Sequence, residues 1–187
     1  MTNPTKNTND FISALKVFVS HGLLDKVEII NWADKEIEKA DNPDDYLIEL
    51  SLIGTKTTNQ ITDLISDFID ETRSITTGRA IIGLTWDKIK SKVIDYKKGM
   101  EVIYSVQGQF PFTDIEKNYI SHADDGLDLA IRKIWGDKDE IEKEIKSFLE
   151  CYDGFSFDNV DNWDRLAIET GKKLDSWDKG TKSKVGK

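Results

Sequence analysis

An all-α fold is what this sequence predicts, and three observations predict it. Apolar residues recur at helical spacing through most of the chain, strand-like alternation is nearly absent, and only three prolines interrupt 187 residues. The expected architecture is a compact irregular array of about eight or nine short antiparallel helices joined by short turns. The length suits a single helical domain, residues 1–187, whose polar ends at about 1–8 and 179–187 are expected to be disordered.

In "NDFISALKVFVSHG", Phe11, Ala14, Leu15 and Phe18 share one helical face, with Asn9 or Asp10 as N-cap and Gly22 as the stop. His21, in the last turn, reads as structural. Leu23 and Leu24 bridge to a second helix, whose stripe is Ile30, Ala33, Ile37 and Ala40 and whose other face carries Asp34, Lys35, Glu38 and Lys39. Asn42-Pro43 ends it, because the residue before a proline is driven out of the helical region. Asp44 or Asp45 then caps a third helix in "DYLIELSLIG", apolar nearly all round and so expected to be central. Trp32 reads as a core or corner anchor.

Ile61, Leu64, Ile65 and Phe68 mark a fourth helix, and Ile82, Trp86, Ile89, Val93 and Tyr96 a fifth that Gly99 ends. "MEVIYSVQGQFPF" is ambiguous. Val102, Tyr104 and Val106 alternate as in a strand, but a lone strand has nothing to pair with, so helix or irregular structure is expected. Thr113 and Glu116 form a capping box for the helix in "FTDIEKNYISHA". Three more stripes follow: Leu127, Ala130, Ile131, Ile134 and Trp135; then Ile141, Ile145, Phe148, Leu149 and Tyr152; then Trp163, Leu166, Ala167, Thr170, Leu174 and Trp177, with Gly171 weakening the last helix. No repeat of fixed period is present, which disfavours a regular solenoid.

Composition excludes several function classes. A net charge of -9 and only four arginines, Arg73, Arg79, Arg132 and Arg165, oppose binding to nucleic acid. The N-terminus lacks an apolar signal region and no long apolar run occurs, so a cytoplasmic protein without membrane contact is expected. The single cysteine, Cys151, can form no internal disulfide and reads as a small buried hydrophobe. Acid is unevenly placed: Ser121 to Asp161 holds twelve Asp and Glu against five Lys and Arg, whereas Gly171 to Lys187 holds six lysines against two aspartates. That acidic flank suits a basic protein partner.

Catalytic motifs are scarce. One cysteine and two distant histidines, His21 and His122, cannot furnish the usual zinc shell, no G-x-S-x-G elbow occurs, and the glycines of "GRAIIGLTWDK" are out of register for a phosphate loop. In "SHADDGLD" His122 lies near Asp124, Asp125 and Asp128. Asp124 and Asp128 would share a face if a helix runs through Gly126, open to a divalent cation or acid–base work, and the competing reading is a helix N-terminus dressed in aspartates. "DGFSFDNVDNWDRLAIE" echoes a calcium loop, but Val160 and Trp163 stand where a ligand and the turn glycine are needed. No cofactor is expected. Of the five tryptophans, Trp163 and Trp177 lie near loops and charge, where one could anchor a partner.

The segments "ALKVFVSHGLL", "EIINWADKEI" and "NPDDYLIELSLIG" resemble the start of an uncharacterised bacterial all-helical family similar to the immunity proteins of polymorphic or contact-dependent toxin systems. The resemblance spans about residues 12–54 and rests on Gly22, Leu23, Trp32, Ala33, Glu49 and Leu50. It implies a fold rather than an active site. Together with the lack of catalytic motifs, it yields the expectation of a non-enzymatic immunity protein that neutralises a basic, nuclease-type toxin by direct binding. The partner-binding residues expected are Asp124, Asp125, Asp128, Asp158, Asp161 and Trp163. Two alternatives stand beside it: a carboxylate-metal enzyme centred near Asp124 and Asp128, and a helical scaffold or adaptor that self-associates through an exposed apolar face.

Overall fold

The computed structural model describes residues 6–69 and 73–185. It is all-α, with nine α-helices and no strand among the described residues. The chain divides into two compact units, Met1–Glu71 and Thr72–Lys187.

The first unit holds α1 (Lys6–Ser20), α2 (Lys26–Lys39), α3 (Asp45–Ser51) and α4 (Thr58–Asp67), with α1 packed on α4 and α2 on α3. Phe11, Ile12, Ala14, Leu15 and Phe18 of α1 form its core together with Ile29, Ala33, Leu50, Ile61 and Ile65. Helix α1 starts before the expected caps, so Asn9 and Asp10 are not caps but buried positions inside it. Trp32 stacks on Phe11 with ring centroids 4.2 Å apart, the anchor expected of it. α3 is not central. Leu47 and Leu50 are buried, but Ile48 and Leu52 face solvent, because seven residues give only one covered side.

The second unit is built around α5 (Ile75–Lys90), in which twelve of sixteen residues are buried. It packs on α6 (Tyr96–Gln107), on α8 (Lys138–Leu149), on the 3-10 turn Glu150–Tyr152 and on α9 (Trp163–Val185), while α7 (Asp114–Ile131) packs on α6 and α8. So deep a helix must satisfy its polar groups internally. Thr76 donates to Asp164 at 2.8 Å, Thr85 to the Ile81 carbonyl at 2.7 Å, and Arg79 to Glu116. Gly83 lets the chain at Tyr152 and Phe155 approach, since a Cβ there would stand 2.7 Å from the Tyr152 carbonyl oxygen. Gly171, the weak point expected in the last helix, makes room for the Arg79 guanidinium, 3.0 Å from where its Cβ would lie.

One corner recurs three times. After α1, α5 and α7 a residue in the left-handed region, Gly22 (φ 67°), Lys92 (φ 59°) or Lys133 (φ 57°), turns the chain. The next amide then bonds back to a carbonyl in the last helical turn: Leu23 to Phe18 at 2.8 Å, Val93 to Lys88 at 3.0 Å, Ile134 to Leu129 at 2.9 Å. An aspartate shortly afterwards, Asp25, Asp95 or Asp137, caps the following helix.

The second corner divides what the spacing predicts as one helix ended by Gly99: α5 stops at Lys90, and α6 runs through Gly99 to Gln107, making Val102, Tyr104 and Val106 helical. The third removes Ile134 and Trp135 from the expected stripe and leaves both exposed. Of the ends expected to be disordered, residues from Lys6 lie in α1 and residues to Val185 in α9, and the remainder lie outside the described residues. No described helix is long and apolar enough to cross a membrane.

Candidate protein-binding surface

α7 positions three of the six residues expected to meet a partner. Its start is fixed by the predicted capping box: Thr113 N and Oγ1 donate to Glu116 Oε2 at 2.9 and 2.7 Å, and the Glu116 amide donates back to Thr113 Oγ1 at 3.4 Å. The same carboxylate, fully buried, receives Arg79 Nε at 2.9 Å, Arg79 Nη2 at 3.1 Å and the Tyr152 hydroxyl at 3.0 Å. Burial alone would push Glu116 up, but the hydrogen bonds and charge of Arg79, joined by Thr113, outweigh it and hold the carboxyl below its usual range. The guanidinium also donates to the Ala167 carbonyl at 2.5 Å, so one ion pair ties α5, α7, α9 and the 150–152 turn together.

From that anchor α7 runs unbroken through Gly126, whose missing side chain faces Ile141. Asp124 and Asp125 therefore sit in mid-helix, which removes the reading of them as N-terminal dressing. Ile120, Ala123, Leu127 and Ala130 face inward, leaving Asp124, Asp125 and Asp128 on the outer side. Partial burial first, then the charges of Asp125, Asp128 and Glu101 on α6, push the Asp124 carboxyl up. The cations nearby serve the margins: Arg132 pairs with Asp128 at 2.9 Å and Lys98 with Glu101 at 3.7 Å.

Asp124 and Asp128 do share a helix face, but among the described residues no group of three or more His, Cys, Asp or Glu side chains is arranged to hold a metal ion. His122 turns its Nδ1 to the Asn118 carbonyl at 2.6 Å, a bond along its own helix. Asp158 and Asp161 lie exposed on a separate 3-10 stretch, Phe157–Asn162, that packs on α9. Five of the six expected residues thus fall into an α7 group and this turn, and the sixth, Trp163, opens α9.

Trp163 is a correction. It is 1% exposed, its indole N–H donates to the Ser156 carbonyl at 3.0 Å, and Phe155 and Phe157 flank its ring, so it anchors the turn rather than a partner. Trp177 is half-buried, edge-on to Tyr119, and lines a hollow of about 430 Å³ with Ile115, Asn118 and His122. Burial pushes the Tyr119 hydroxyl well up. Cys151 is buried as expected, and its thiol is raised chiefly by that burial. Sequence reasoning missed the Arg79–Glu116–Tyr152 cluster and the exposure of Trp135. For the corner that carries Trp135, though not for its exposure, a signal existed: "RKIWGDK" has the corner grammar of "SHGLLDK".

Comparison with family models, curated proteins and solved structures found no match to this chain.

Proposed function

We propose that this chain is a non-enzymatic binding protein, of the kind that confers immunity in the bacterial cytoplasm by covering a basic toxin domain, and that it meets that partner through the outer side of α7. The observation that carries the reading is that α7 sets Asp124, Asp125 and Asp128 together on its outer side, where Arg132 pairs with Asp128. Like charges grouped on one side of a helix are relieved by lysines and arginines that a partner brings. Asp158 and Asp161 would contribute a second, smaller acidic contact. The carboxylate-metal alternative has less to stand on, since Asp124 and Asp128 lack a third ligand among the described residues.

The test is calorimetric titration of the chain against the C-terminal domain of the protein encoded beside it, at low and high salt. Tight binding that weakens with salt, and that Asp124→Asn with Asp125→Asn weakens by about tenfold or more, supports the reading. Absence of binding, or binding indifferent to both salt and these substitutions, refutes it.

A further inference from the structure

We propose that the hollow lined by the first half of α7 and by α9 binds a small organic amine, with its ammonium group held by the Asp114 and Asp178 carboxylates and its apolar body laid against Tyr119 and Trp177. The site stands apart from the Asp124–Asp128 group and does not rest on the reading above. The hollow measures about 430 Å³. Pockets that take small ligands run from about 300 to 1,000 Å³.

Its apolar wall is preformed. The Trp177 indole N–H donates to Ser147 Oγ on α8 at 3.1 Å, and the ring stands steeply across Tyr119, with centroids 4.8 Å apart, and across Phe148, 5.4 Å apart. Tyr119 in turn lies against Phe148 with centroids 4.3 Å apart. Ile115 completes the wall. Rings held in this way present electron-rich surface that need not be ordered when a ligand arrives. Burial, and then the charge of Glu144, push the Tyr119 hydroxyl well up, so that ring stays neutral.

Charge selects the ligand. Asp114 and Asp178 line the hollow, and among the described residues no lysine or arginine does. The hollow beside Trp135 differs, since Lys133 and Lys138 line it and Asp137 is its one carboxylate. A cation is therefore favoured at the first and not at the second, and aromatic rings attract the same charge. The two remaining polar residues favour a cation that carries N–H groups. His122 donates from Nδ1 to the Asn118 carbonyl at 2.6 Å, which leaves its Nε2 as an acceptor, and the Asn118 side chain adds an amide oxygen. A primary ammonium supplies donors to these groups as well as charge to the carboxylates, which a quaternary ammonium cannot.

The probe is phenethylamine, titrated into the full chain at pH 8 and followed by the indole N–H resonance of Trp177, which Trp177→Phe identifies. The expected result is a saturable shift of that resonance, with the neutral analogue 2-phenylethanol weaker by about tenfold or more. Asp114→Asn with Asp178→Asn should weaken the amine by about fivefold or more and leave the alcohol unchanged, with the helical circular dichroism retained. Asp124→Asn with Asp125→Asn removes the same charge away from the hollow and should leave amine binding unchanged. A Trp177 resonance that does not move, equal affinity for amine and alcohol, or amine binding that the two pairs of substitutions affect equally overturns the proposal.

Discussion

The Arg79 guanidinium and the Glu116 carboxylate meet through two parallel hydrogen bonds, 2.9 and 3.1 Å, with side chains 8% and 0% exposed. Each partner is also held elsewhere, Arg79 by the Ala167 carbonyl and Glu116 by Tyr152 and Thr113, so removing either leaves a buried charge and several orphaned groups. Arg79→Met or Glu116→Gln alone should cost about 3–5 kcal/mol in urea unfolding. The double variant should cost clearly less than the sum of the two, since the surviving charge is what makes each single change expensive. Additive costs would mean that the pair is not coupled.

The same carboxylate sets an acid limit. Its folded pKa is depressed, so the unfolded state takes up its proton first as pH falls. The stability it contributes is complete above the unfolded carboxylate range, near ~4.3, and drains away as pH drops through the lower folded value. Unfolding free energy measured in steps below about pH 5 should fall steeply in the parent chain and less steeply in Glu116→Gln. Identical slopes would place the acid sensitivity elsewhere.

What the sequence made legible is what it encodes locally. The Thr113–Glu116 box, the stop at Gly22 and the break before Pro43 each depend on a few adjacent residues, and each lies where the residues predict, α2 ending at Lys39. The corner at Lys92 was illegible because a lysine there carries no glycine signal for a left-handed turn, and periodicity ran straight across it. Glu116 was legible as a cap but not as the partner of Arg79, a contact between residues 37 positions apart. On α7 the acidic group was readable from charge density alone. Burial of Trp163 was not, because it depends on where Phe155 and Phe157 fold back.

Two glycines inside helices should respond oppositely to alanine. At Gly83 a new Cβ would stand 2.6 Å from Phe155 Cδ2 and 2.7 Å from the Tyr152 carbonyl oxygen, and a backbone atom cannot step aside. Gly83→Ala should therefore destabilise by about 1–3 kcal/mol despite the gain in helix propensity. At Gly126 the nearest atom, Ile141 Cδ1, is 3.9 Å away. Gly126→Ala should stabilise by about 0.5–1 kcal/mol, and thermal unfolding of the two variants checks both signs.

The acidic side of α7 should carry a cost in stability. A carboxyl whose folded pKa is raised binds its proton more tightly in the folded chain, so at neutral pH its charge opposes folding and the opposition fades as pH falls. Asp124→Asn removes that charge, keeps the shape and leaves the like-charged Asp125, Asp128 and Glu101 under less repulsion. Its thermal midpoint at pH 7 should be equal to or above that of the parent chain, with the difference shrinking toward acid pH. Asp128→Asn, which forfeits the bond to Arg132, should show no such gain. If Asp124→Asn were instead destabilised, Asp124 would be serving the fold, and crowding of the ridge could not be the reason it is available to a partner.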